Sequence, residues 1–204
     1  MARYYIADNH FFHIGVNDRM DRRGFPNVEE MNEYMITQWN GRVRRNDEVV
    51  CLGDLSIGRP METNRILERL NGRIFMIRGN HDKFLDKPDV VLSRFEWVKD
   101  YAEMNDNGRK VILCHYPIVC YNGQFRLDKD GNPKVYMLHG HIHRTADVVG
   151  LHHYKEFVRG FSRQVRGSEK PKPAPVNIIN CFCMLSNYVP LTLDEWIDLE
   201  RSGI

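Results

Sequence analysis

The sequence predicts a layered α/β domain. Three observations carry this reading: short β-prone apolar runs alternate with amphipathic helical stretches, run after run stops at a polar residue, and no repeat or domain-scale linker divides the chain. At 204 residues the chain is long enough for one domain with a large core and short for two. A hydrophobic fraction of 42% with 27% charged residues excludes a disordered or fibrous chain.

Residues 3–7 are β-prone and apolar and stop at Asp8, as a buried strand does when it delivers a polar residue at its end. A loop rich in His, Asp and Arg follows. Asn27 with Glu30 three residues later is a capping-box pattern, and Val28, Met31, Met35, Trp39 and Val43 recur at three- and four-residue spacing, so a helix is expected to end near Arg45. Residues 48–52 read as a second buried strand breaking at Gly53-Asp54, 60–70 as a short helix closed by Asn71-Gly72, and 73–78 as a third strand ending in a polar cluster. Another helical stretch is expected near 87–95. The β-like runs 97–104 and 109–113 flank Asn105-Asp106-Asn107-Gly108, a hairpin-turn signal, and the second stops at His115. Residues 135–138 form a further strand ending at His139-Gly140-His141-Ile142-His143, and 176–184 supply a last one. In layered α/β proteins sites form where strand ends converge, so the repeated polar ending predicts one shared active-site rim.

Composition narrows the function classes. No run approaches the roughly 20 apolar residues that cross a bilayer, and the start lacks a signal-peptide pattern, so a cytoplasmic protein without membrane contact is expected. Five cysteines, with Cys51 and Cys114 inside apolar runs, fit reduced core thiols. Cys181 and Cys183 read as two residues on one strand face rather than metal ligands. A net charge of +2 is too small to announce a nucleic-acid binder.

The polar strand endings carry the chemistry. Asp8-Asn9-His10, Gly53-Asp54, Gly79-Asn80-His81-Asp82, His115 and Gly140-His141-Ile142-His143 are each modest signals, because glycine beside a polar residue usually marks a turn. Together they supply carboxylate, amide and imidazole groups suited to first-row divalent metals. Their order and content resemble the calcineurin-like metallophosphoesterase superfamily in its compact bacterial and phage form, whose motifs run D-x-H, G-D, G-N-H-[DE], H and G-H-x-H.

That resemblance implies two mixed β-sheets packed face to face with helices on the outer sides, a four-layer sandwich made by one domain over 1–204. It implies two divalent ions, Mn2+ first and Fe, Zn, Ni or Mg as alternatives. Asp8, His10 and His143 would hold one, Asn80, His115 and His141 the other, with Asp54 bridging. A metal-bridging hydroxide is the expected nucleophile. His81 would stabilise the transition state or protonate the leaving group with Asp82 orienting its ring, and His13 would contact substrate phosphate. His139 is expected in the core or behind the ligands, and His152 and His153 on the surface.

The substrate expected is a phosphate ester, a nucleotide-like or nucleic-acid-like phosphodiester ahead of a phosphomonoester or a dinucleoside polyphosphate. A protein-binding module on the same scaffold is the non-enzymatic alternative. The stretch 144–175 is longer than the compact family needs and reads as an inserted lid or connector. Within it Lys155, Arg159, Arg163 and Arg166 would align on one helical face able to hold a polyanion, with Arg159 and Arg163 as substrate contacts. Phe157 and Phe161 are placed to pin that helix to the body.

Overall fold

The computed structural model describes residues 1–164 and 169–203. Four strands, β1 (Arg3–Ile6), β2 (Glu48–Cys51), β3 (Arg73–Ile77) and β4 (Phe95–Lys99), form a parallel sheet in that order. A second sheet runs β10 (Ile178–Asn180), β7 (Val135–His139), β6 (Arg109–Cys114) and β5 (Tyr101–Asp106), with only β5 antiparallel to its neighbour. The first sheet gains an antiparallel partner through the single bridge between Tyr5 and Leu191.

Alternation along each strand builds the layers. Tyr4 and Ile6, Val49 and Cys51, and Ile74 and Met76 face one core with helices α1 (Val28–Arg42) and α2 (Pro60–Arg69). Their neighbours Tyr5, Val50, Leu52, Phe75 and Ile77 face the other way and meet Val111, Leu113, Tyr136, Leu138 and Ile179 of the second sheet. Beyond it, Ile112, Val135, Met137 and Ile178 pack on Leu151 of α3 (Ala146–Arg159). Helix, sheet, sheet, helix is thus written in a period of two. Helix α4 (Leu193–Arg201) closes one edge of the central core with Trp196, whose Nε1–H donates to the Tyr5 carbonyl at 2.9 Å.

Local chemistry sets the boundaries. The Asn27 side chain accepts the Glu30 N–H at 2.8 Å and opens α1, while Thr192 and Glu195 cap α4 reciprocally. Asn107 and Gly108, both at positive φ, make the two-residue turn between β5 and β6.

Several expectations are corrected. No α-helix covers 87–95; two short 3-10 turns, Lys83–Asp86 and Leu92–Arg94, flank Pro88, whose ring and missing N–H stop a longer helix. The run 97–104 is two strands in different sheets, since the chain passes from one sheet to the other at Asp100. The strand expected over 176–184 ends at Asn180, and 183–186 form a 3-10 turn. Cys181 and Cys183 therefore enter different cores rather than one face. All five cysteines are free.

The stretch 144–175 begins as α3, the outer layer of the second sheet, and continues through a two-residue pairing of β8 (Ser162–Arg163) with β9 (Lys172–Pro173). Lys155 is buried and paired with Glu200 at 2.6 Å, so it belongs to no exposed cationic face. Phe157 and Phe161 do not pin the helix: they are 67% and 50% exposed and meet each other edge to face. Arg166 lies outside the described residues. Among the described residues no helix is long and apolar enough to cross a membrane.

Candidate active site

The parallel strands β1, β2, β3, β6 and β7 deliver their C-terminal ends to one rim, and there the side chains singled out in the sequence converge. Asp8 and His10 follow β1, Asp54 follows β2, and Asn80 and His81 follow β3; His115 follows β6, and His141 and His143 follow β7. The backbone bends sharply to aim them. Asp8, His10, Asp54, His141 and His143 all have φ between 44° and 71°, the left-handed region that costs a side-chain-bearing residue free energy and that Asn, Asp and His tolerate best. Gly79 and Gly140 let the loops close: a Cβ on Gly79 would lie 2.2 Å from Asp54 Oδ1, and one on Gly140 2.6 Å from Asp8 Oδ2.

Two donor clusters result. In the first, His10 Nε2 and His143 Nε2 face each other at 3.2 Å, with Asp54 Oδ2 3.5 Å from His10 and Asp8 Oδ1 3.6 Å from His143. In the second, His115 Nε2 lies 3.4 Å from Asp54 Oδ2, and Asn80 Oδ1 is 3.0 Å from both His115 Nε2 and His141 Nδ1. Donor atoms bound to one ion at about 2.0–2.2 Å sit about 3.0–3.5 Å from each other in octahedral or tetrahedral geometry. The measured edges match that size, and the oxygen and imidazole donors fit a divalent first-row ion. Asp54 is shared by both clusters.

Charge states agree with ligation. Burial pushes His10 down to about 2, with Asp54 opposing, so the ring is a neutral donor. Burial would raise Asp54, but His115, His10 and the His81 N–H outweigh it and hold it down to about 2. His143 is the reverse case: burial works to lower it, while hydrogen bonds to Asp21 and Asp8 bring it up to about 9. Carboxylates that draw a proton onto that ring would draw a cation in the same way.

Groups behind the ligands fix their orientation. His115 Nδ1 meets the Leu52 carbonyl at 2.8 Å and His143 Nδ1 meets Asp21 Oδ1 at 2.7 Å, leaving both Nε2 atoms for the cluster. Arg23 clamps Asp21 from the other side, and its buried guanidinium also donates to the carbonyls of Asp8 and Asn9 at 2.9 and 2.6 Å. Asp21 and Arg23 are absent from the sequence prediction; their signal is an acid and a base two residues apart in the His-, Asp- and Arg-rich loop. Tyr116, its ring 4.5 Å from that of His141, was equally silent.

The flanking residues divide. His81 is half-buried, its ring 5.4 Å from His10 and 6.0 Å from His13, at the mouth of the cluster. His13 Nδ1 lies 3.3 Å from His10 Nδ1, behind that ligand. Asp82 does not orient the His81 ring. Its Oδ2 accepts the N–H groups of Gly79 and Asp54, and its Oδ1 those of Leu55 and, at 3.4 Å, Ser56, so all four lone-pair directions are taken. Burial pushes this carboxyl up to about 7 while the amide donors oppose it. Asp82 thereby ties the loop after β2 to the loop after β3.

His139 is fully buried, its Nδ1–H donating to the Gly140 carbonyl at 2.8 Å, and His152 and His153 are exposed. Arg159 and Arg163 are not at the rim. Helix α3 starts three residues after His143 and Arg159 ends it, about 20 Å farther along the axis, paired with Glu156. The Arg163 guanidinium covers the Phe125 ring at 4.1 Å.

Comparison with known proteins bears on the same residues. A family model described as calcineurin-like phosphoesterase matches residues 3–189. An uncharacterized protein of Methanocaldococcus jannaschii is 35% identical over 202 residues, 98% of this chain and 92% of its own. A crystal structure of a protein of unknown function from Aquifex aeolicus superposes with a TM-score of 0.62 at 21% identity, covering 97% of this chain and 98% of that one. A Vps29 variant from Entamoeba histolytica overlaps at a TM-score of 0.35 and 17% identity, over 87% and 74% of the two chains.

Proposed function

This chain belongs to the calcineurin-like phosphoesterase family and is a metal-dependent phosphoesterase; from that premise we propose that it hydrolyses phosphodiesters of a nucleotide-like substrate at the rim built by Asp8, His10, Asp54, Asn80, His115, His141 and His143. The observation that carries the site is the pair of donor clusters sharing Asp54, with edges of 3.0–3.6 Å. Asp8, His10 and His143 would hold one divalent ion and Asn80, His115 and His141 a second. Such ions supply polarisation of the phosphoryl oxygens, neutralise charge and bring a water's pKa toward neutral.

The chain's own groups do the rest. Asp54, near donors of both clusters, would supply the negative charge that offsets repulsion between two cations. Asp21 and the Leu52 carbonyl hold two imidazoles in the tautomer that offers Nε2. His81, whose backbone N–H donates to Asp54 Oδ1 at 2.7 Å, stands beside the cluster and donates its ring proton to the departing oxygen.

Turnover of bis-p-nitrophenyl phosphate and p-nitrophenyl phosphate, measured with Mn2+, Fe2+, Zn2+, Ni2+ and Mg2+ in turn, tests the reading. Preference for the diester is expected, with Mn2+ most active. Preference for the monoester would make the protein a phosphatase, and no hydrolysis of either with any ion would favour the binding-module alternative.

A further inference from the structure

Beside the rim, on the His81 side, lies a depression of about 420 Å3. His81 and His13 line it, and Ile57, Pro60 and Phe84 supply apolar wall. Arg59, Lys83 and Lys87 also line it; all three are exposed, and no carboxylate lines it with them. Among the described residues none of the three side chains has an acidic partner. The depression on the opposite flank of the same loop, about 460 Å3, shares Lys83 as a lining residue but also has acidic groups: Asp86 and Asp100 line it, and Asp86 pairs with its Arg78 at 2.6 Å.

We propose that the depression lined by Arg59, Lys83 and Lys87 receives the leaving group, and that the preferred leaving group is a nucleoside carrying a second phosphate. The inference rests on the diesterase reading with His81 as the acid. A general acid must lie within hydrogen-bond reach of the oxygen it protonates, so whatever is attached to that oxygen continues past His81. The depression past His81 has the volume of a small-molecule site. Its apolar wall suits a base or ribose face, and three cations of one sign, free of internal ion pairs, suit a dianion. A phosphate bound there is the substrate's second one, because the first must occupy the metal cluster.

Equilibrium binding to the Mn2+-loaded protein separates these contributions. The probes are thymidine 3′,5′-bisphosphate and thymidine monophosphate, titrated into the wild type, K83Q/K87Q and R59Q, with melting temperatures recorded to show that each variant is folded. The second phosphate is expected to tighten binding at least tenfold in the wild type and less than threefold in K83Q/K87Q, with R59Q between them. Equal affinity for the two probes in the wild type, or a gain that survives in K83Q/K87Q, overturns the proposal. Turnover of the dinucleotides TpT, pTpT and TpTp then tests placement: the compound whose leaving nucleoside bears the extra phosphate should have the highest kcat/KM, and indifference to it overturns the leaving-group assignment. Absence of all diester hydrolysis would sink the diesterase reading instead, and the binding titration still decides whether the anion site exists.

Discussion

Replacing Asp82 by Asn separates two roles for the residue after His81. In the structure its carboxylate accepts four backbone N–H groups, from Asp54, Leu55, Ser56 and Gly79. Asn offers one carbonyl oxygen with two lone pairs, so two donors lose their acceptor and face an NH2 group. Leaving two buried amide donors without an acceptor costs about 1–3 kcal/mol each, and removing the buried charge returns part of it, so Asp82→Asn should cost about 2–5 kcal/mol. For a domain of this size that lowers the melting temperature by on the order of 10 °C. The measurement is thermal denaturation of chelator-treated protein at pH 8, above the value of about 7 to which burial pushes this carboxyl. Metal content should fall as well, because Asp54 loses its anchored backbone. A variant that melts within about 2 °C of the wild type and keeps its metal, but turns over slowly, would refute the clamp and return Asp82 to the His81 ring.

Further outcomes follow from other residues. His81→Ala should lower kcat by about 100-fold or more while metal content, measured by elemental analysis, stays at the wild-type level. Asp21→Asn removes the anion behind His143 and should weaken metal affinity by about 10- to 100-fold in a competition titration with a fluorescent chelator. Gly140→Ala should yield a protein with little bound metal, since the added Cβ meets Ala7 Cβ and Asp8 Oδ2 at 2.6 Å. Asp47 accepts the Ala2 and Arg44 N–H groups, and the Ala2 bond is the main cause of its lowered pKa. A depressed carboxyl contributes stability above its unfolded value of about 3.9 and loses it as pH falls through the folded value. The urea-denaturation gap between wild type and Asp47→Asn, about 1–2 kcal/mol at pH 7, should therefore narrow as the pH falls below about 4.

What the sequence displayed, and what it hid, follows from where the information resides. Strands with alternating burial, the capped helices α1 and α4, and the Asn107-Gly108 turn are local patterns, and they read directly. So did the seven donors, because a polar residue at the end of an apolar run has few other reasons to be there. The break at Asp100 is a choice between two sheets, made by long-range packing of Trp97 on one side and Ala102 on the other, and no local pattern carries it. Lys155 looked like part of a cationic stripe, but its partner Glu200 is distant in sequence. Asp82 looked like a partner for His81 because they are adjacent, whereas its amide donors come mostly from residues 54–56. The left-handed backbone at five donor positions was invisible too, as it is set by loop closure rather than by residue type.

The donors are divided between the two sheets. Asp8, His10, Asp54 and Asn80 ride on the first, and His115, His141 and His143 on the second. Each ion would therefore act as a rivet through the sandwich, joining for example residues 133 apart in the chain at His10 and His143. Closing a loop of that length restrains the unfolded chain by on the order of 4–5 kcal/mol in the chain-entropy account of cross-links. Loading the site fastens the two halves of the molecule, and sliding one sheet against the other would pull both donor clusters apart at once. The few atoms that set competence to react would thus add a second fastening to the apolar core the two sheets already share.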